Sequence, residues 1–134
     1  IGCELEGNKA SLMIDEYPIL SIAAAFAKTP SLFKGLGELK IKESNRLELI
    51  KYNLNNCGIY CKINDNDLYI DPTKTNFPKK NKIQTDKDHR IAMSFAIMGM
   101  KLGTDLQISN SEFIETSFPN FLNIANEVGG NLSE

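Results

Sequence analysis

Two cations and a carboxylate fall close together in the stretch Lys42-Glu43-Ser44-Asn45-Arg46-Leu47. A carboxylate held among cations suits proton transfer. The unpaired N–H groups of a helix start, with cations beside them, suit a phosphate or carboxylate ligand. Leu47, Ile50 and Leu54 then recur at helical spacing, which predicts a helix beginning within the motif. The preceding Glu38-Leu39-Lys40-Ile41 reads as strand-like, so the motif is predicted to be a strand-to-helix turn with Lys42, Glu43 and Arg46 sharing one exposed end. Charges in a first helical turn also serve as caps or stay solvated, so the motif alone leaves both readings open.

A second stretch repeats the pattern. Asp86-Lys87-Asp88-His89-Arg90 offers a capping aspartate followed by basic residues, and Ile91, Phe95, Met98 and Leu102 continue at helical spacing. A third helix start is Asp15-Glu16-Tyr17-Pro18, an acidic cap candidate followed by a proline suited to the first helical turn. Taken singly, Asp15 and Arg90 read as cap or surface residues.

These three starts need elements to position them. The first helix is predicted to run to about residue 28, with Ile19, Ile22, Ala23 and Phe26 facing the core and Thr29-Pro30 stopping it. A short strand over 31–34 precedes Gly35-Leu36-Gly37, and the central helix ends near Asn56, with Gly58 in the left-handed position past its end. Residues 59–63 and 67–70 flank Asn64-Asp65-Asn66 as a hairpin. Residues 71–82, with two prolines, read as a loop, and 83–85 as a brief strand. After the third helix Gly103 closes it, 105–109 is a strand, and Thr116-Ser117-Phe118-Pro119 opens a last helix carrying Phe121, Ile124 and Val128 inward. Met93, Phe95 and Met98 read as core. Helix and strand alternate similarly in both halves, which predicts an α/β fold of two related units, approximately 1–71 and 72–134. Units packed about a common core would turn several helix N-termini toward one mouth.

Composition narrows the function. The chain has 134 residues, 42% hydrophobic and 24% charged, enough for one packed core. A formal net charge of −2 argues against a nucleic-acid partner, and the one lysine pair, Lys79-Lys80, reads as a solvated loop. Cys3, Cys57 and Cys61 are odd in number and form no CxxC pair, so reduced thiols in a cytoplasmic protein are expected, with Cys57 and Cys61 in the core. No apolar run approaches the roughly 20 residues needed to span a bilayer. The chain opens on Ile1, and we expect it to be a piece of a longer polypeptide.

Together, Lys42-Glu43-Ser44-Asn45-Arg46-Leu47, Asp88-His89-Arg90-Ile91-Ala92-Met93 and the Asp15 helix start resemble, in order and interval, the C-terminal part of the 5-enolpyruvylshikimate-3-phosphate (EPSP) synthases. These are the 3-phosphoshikimate 1-carboxyvinyltransferases of the shikimate pathway, which leads to chorismate and the aromatic amino acids. The resemblance covers residues 15–130. It implies an inside-out fold of βαβαββ repeats in two domains with the active site in the cleft, of which this chain is part of one domain. The implied reaction moves the enolpyruvyl group of phosphoenolpyruvate to the 5-hydroxyl of shikimate 3-phosphate and releases phosphate. It needs acid–base groups and anion binders, with no metal or cofactor.

By the same resemblance, Asp15 accepts the hydroxyl proton and Glu43 trades a proton with the methylene carbon. Lys42 touches the shikimate side or the hydroxyl, Arg46 and Arg90 hold phosphoenolpyruvate, and His89 lines the pocket. On residue chemistry alone His89 also reads as part of a cap. Many members carry a lysine where this chain has Thr116, so one cation on phosphoenolpyruvate is absent from that position. The resemblance further implies that the missing remainder of the polypeptide completes the site, leaving this piece inactive alone. Two rivals are a related enolpyruvyl transferase acting on a UDP-linked amino sugar and an anion-binding module without chemistry.

Overall fold

In the computed structural model, which describes residues 1–78 and 80–133, six strands and five α-helices alternate. Strand β1 (Glu4–Leu5) leads through 3-10 turns into helix α1 (Tyr17–Ala25), then β2 (Ser31–Phe33) and α2 (Arg46–Asn56). The hairpin β3 (Tyr60–Asn64) and β4 (Asp67–Asp71) follows, turning at Asp65 with φ 53°. After it come β5 (Lys80–Ile83), α3 (His89–Leu102), β6 (Asp105–Ile108), α4 (Phe113–Ser117) and α5 (Phe121–Glu127).

Four strands form one sheet in the order β1-β2-β4-β3, with β1 parallel to β2 and the other pairings antiparallel. Strands β5 and β6 form a second, parallel pair joined by α3. Parallel neighbours cannot be joined by a tight turn, so α1 and α3 are crossover helices, and they pack on each other. The core between helices and sheet holds Tyr17, Phe33, Leu36, Leu47, Ile50, Leu54, Leu68, Ile70, Ile91, Phe95 and Met98. On α2, Leu47, Ile50 and Leu54 lie on one buried stripe, as their spacing requires. The edge of Tyr17 meets Phe33, with ring centroids 5.4 Å apart, and fixes α1 on the sheet.

Several local expectations give way to packing. Residues 38–41 lie in the 3-10 helix Gly37–Ile41 rather than a strand, because Leu36 and Leu39 both turn into the core, three residues apart. Helix α1 stops at Ala25 rather than residue 28, and it buries Tyr17, Ser21, Ile22, Ala24 and Ala25 while Ile19 and Ala23 face outward. Strand β5 begins at Lys80, inside the expected loop, and ends at Ile83, short of residue 85. Lys79 lies outside the described residues. The Ser117-Phe118-Pro119 turn separates two helices instead of opening one, and Ile124 and Val128 are exposed. The central hairpin, Gly58 at φ 80° and Gly103 at φ 61° are where they were expected.

Candidate functional site

Helix α2 starts with Asn45, whose side chain accepts from the Glu48 N–H at 3.2 Å, and this places Arg46 at the first helical position. Arg46 is not on an exposed end. Its side chain is 0% accessible, because it enters the gap between the starts of α2, α3 and α1. A buried guanidinium requires compensating charge, and three carboxylates supply it. Nε donates to Asp88 Oδ2 at 2.7 Å, and Nη1 donates to Asp15 Oδ1 at 2.9 Å. Glu43 Oε2 lies 2.5 Å from Nη2 but off the line of its N–H, so Nη2 is charge-paired without a hydrogen-bonded acceptor.

Asp88 divides its two oxygens. Oδ1 caps α3, accepting from the N–H groups of Arg90 at 3.0 Å and Ile91 at 3.4 Å. Oδ2 takes Arg46 and the Ser44 hydroxyl, the latter also at 2.7 Å. Burial alone would push this carboxyl up. The hydrogen bonds from Arg46 and Ser44, the Arg46 charge and the Ile91 N–H outweigh it and hold Asp88 below the usual carboxylate value.

The neighbouring turn is built to hold Asp88. Its N–H donates to the Thr85 carbonyl at 2.9 Å, and Asp86 and Lys87 take positive φ to turn the chain. Buried Thr85 is itself tied to Ser109, while Asn53 of α2 bonds both backbone groups of Gln84, at 2.7 and 2.9 Å.

Arg90 is placed differently. It is 35% accessible, its Nη1 donates to the Asp15 carbonyl at 3.2 Å, and its Nη2 lies 3.8 Å from Asp15 Oδ2. With Asp15, Glu16, Ile19, Met93, Ser94 and Ile97 it lines a pocket of about 210 Å³ between α1 and α3. Asp15 sits in the 3-10 turn Ile14–Glu16 and does not cap α1 with its side chain. Asp15 and Glu43, at 44% and 51% accessible, reach solvent from the edge of the cluster. Lys42 is exposed beside them, and His89, the first residue of α3, is half-buried.

The structure therefore gathers Asp15, Glu43, Arg46 and Arg90 into one cluster, with Lys42 and His89 on the chain next to it. Formally, Asp15, Glu43 and Asp88 oppose Arg46 and Arg90, an excess of one negative charge before Lys42 is counted. Such a cluster can exchange protons at its exposed acids and can take an anion only with further cations or the displacement of a carboxylate. The thiols stand apart: burial pushes Cys61 up to about 12 and also raises Cys57, which leaves both as unreactive core groups.

A family model described as EPSP synthase (3-phosphoshikimate 1-carboxyvinyltransferase) matches residues 2–124. The chain belongs to the EPSP synthase family. The 3-phosphoshikimate 1-carboxyvinyltransferase of Paramagnetospirillum magneticum is 40% identical over 132 residues, covering 98% of this chain and 30% of that protein. The Caulobacter vibrioides protein of the same name is 38% identical over 135 residues, covering 99% and 30%. An EPSP synthase structure from Acinetobacter baumannii superposes with a TM-score of 0.84 at 32% identity, covering 97% of this chain and 30% of that one. The chain thus spans about 30% of the length of the curated relatives it matches. Its mixed helix-and-sheet architecture is that of one part of an EPSP synthase. No helix among the described residues is long and apolar enough to cross a membrane.

Two residues of this EPSP synthase segment escaped the reading of its sequence as a site. Asp88 is legible only as a helix cap, and Ser44 only as a polar neighbour of Glu43. Ser44 and Arg46 both donate to Asp88 Oδ2, across 44 and 42 residues, a meeting that no local pattern contains. Thr116 is exposed near the end of α4.

Proposed function

We propose that the full-length protein to which this chain contributes transfers the enolpyruvyl group of phosphoenolpyruvate to the 5-hydroxyl of shikimate 3-phosphate. The observation that carries the reading is the Arg46 cluster, in which two solvent-reaching acids from separate segments flank one guanidinium while a second arginine stands open beside them. Asp15 takes the proton of the attacking hydroxyl as its oxygen bonds to the carbon bearing the phosphate. Glu43 gives a proton to the methylene carbon in that addition and takes one back as phosphate leaves. Arg90, and Arg46 through the Nη2 that lacks an aligned acceptor, hold the carboxylate and phosphate of phosphoenolpyruvate, for which a planar fork is suited. Glu43, half exposed and off that N–H line, gives way to the anion. Lys42 and His89 border the second substrate and the pocket wall.

The same reading divides the chain into two βαβαββ-type units, 1–71 and 72–134. The order β1-α1-β2-α2-β3-β4 supports the first, and the second supplies β5-α3-β6 and two helices. The remaining cations come from the rest of the polypeptide. The reaction is placed in the cytoplasm, which unpaired cysteines favour.

In the intact protein, Asp15→Asn and Glu43→Gln should each abolish most turnover while leaving the protein folded; normal turnover in both would remove the catalytic assignment. A thermal-shift screen of the intact protein should show stabilisation by shikimate 3-phosphate and none by a UDP-linked amino sugar. Because the isolated cluster carries excess negative charge, the 134-residue chain alone should bind phosphoenolpyruvate weakly, and micromolar affinity in calorimetry would contradict this.

A further inference from the structure

Arg46 and Arg90 sit on different helices, yet one carboxylate touches both helix starts. Asp88 Oδ2 holds Nε of Arg46, whereas Oδ1 holds the backbone N–H of Arg90. Ser44 fixes the Oδ2 side by donating its hydroxyl at 2.7 Å, and the Thr85 carbonyl fixes the Asp88 backbone. A helix cap requires one acceptor and no burial of charge, and a serine, asparagine or aspartate supplies it about equally well. Capping therefore leaves the second oxygen, the serine and the complete burial of Asp88 unexplained. A guanidinium held at Nε keeps its two terminal nitrogens in a fixed plane, and those are the nitrogens that face Asp15 and Glu43.

We propose that Asp88, with Ser44, is a positioning residue that sets the plane of the Arg46 fork and locks it in register with Arg90. It touches no substrate itself. The inference deepens the reading given under Proposed function, naming what holds the anion-binding arginine in its working orientation. Errors of about an ångström in such a group reduce rates by up to roughly a hundredfold, so a residue devoted to its orientation is expected.

The test separates capping from positioning in the intact protein. Asp88→Ser keeps a capping oxygen but is too short to hold Nε, whereas Asp88→Ala removes both. Ser44→Ala removes one support and Ser44→Thr restores the hydroxyl. The first readout is labelling of Arg46 by an arginine-specific dicarbonyl, followed by peptide mass spectrometry with Arg90 as the internal reference. Arg46 should be protected in the natural protein, labelled in Asp88→Ser, and labelled more slowly in Ser44→Thr than in Ser44→Ala. The second is KM for phosphoenolpyruvate, expected to rise roughly 10- to 100-fold in Asp88→Ser. KM for shikimate 3-phosphate should stay within about threefold, since the fork addresses the other substrate.

Continued protection of Arg46 in Asp88→Ser would overturn the proposal. So would labelling with an unchanged KM, or a rise in both KM values that simply follows lost thermal stability. If the natural protein fails to use phosphoenolpyruvate while Arg46 becomes labelled in Asp88→Ser, the positioning of Arg46 stands and only the substrate reading falls.

Discussion

Helices α2 and α3 begin alike, with a capping Asn45 or Asp88 and an arginine within two residues, yet the two arginines have opposite fates. Arg46 is sealed among three carboxylates; Arg90 keeps a third of its side chain in solvent above a pocket. The difference lies in what each helix start faces. The first position of α2 points at the start of α3, where Asp88 waits, while the second position of α3 points at the turn before α1, where a backbone carbonyl and a half-exposed Asp15 wait. Similar local chemistry thus yields a fully buried guanidinium paired with three carboxylates in one case and a partly open guanidinium in the other.

The largest effect should come from removing the anchor. Arg46→Ala leaves Asp88 charged, buried and unpaired, and should cost about 3–5 kcal/mol in urea unfolding of the intact protein. A loss under about 1 kcal/mol would place Arg46 in the same class as Arg90 and erase the contrast.

Acid should act on the same side of the comparison. The folded-state value of Asp88 lies below its ordinary 3.8, so its stabilising contribution is complete above about that pH and is lost as pH falls through the lowered value. Asp71, held by Thr73, and Glu4, held by Lys34, fall in the same direction, so the comparison must be made against a variant. Stability of Asp88→Asn should decline less steeply between pH 4 and pH 2 than that of the natural protein; parallel curves would deny Asp88 its share.

On the open side, Arg90→Ala should change stability by less than about 1 kcal/mol, because its pairing is solvent-screened. It should nevertheless weaken phosphoenolpyruvate binding about tenfold or more, the loss typical of a charged hydrogen bond. A stability loss equal to that of Arg46→Ala would show that exposure is a poor guide here. The smallest stability change belongs to Glu43→Gln, within about 0.5 kcal/mol, since that carboxylate is half exposed and misaligned with Nη2. Thermal melts of Glu43→Gln beside its expected loss of turnover would sharpen the division between anchoring and working carboxylates.

Elsewhere in the chain the same division between local and distant forces recurs. Leu47, Ile50 and Leu54 face the core as their spacing requires, and Gly58 and Gly103 end their helices in the left-handed conformation. By contrast, Ile19, Ile124 and Val128 are apolar at helical spacing and nevertheless face outward, because periodicity defines a stripe without saying which surface will cover it.

By itself the sequence determined the hairpin, the glycines that end α2 and α3, the buried stripe of α2 and the family, for these depend on contacts between near neighbours and on ordered motifs. Only the tertiary structure decided that Arg46 is buried while Arg90 is open, and that Asp88 and Ser44 belong to the cluster. Charge pairing across 42 residues depends on where the crossover helices land, and a guanidinium's surroundings are set by that landing rather than by its neighbours in the chain.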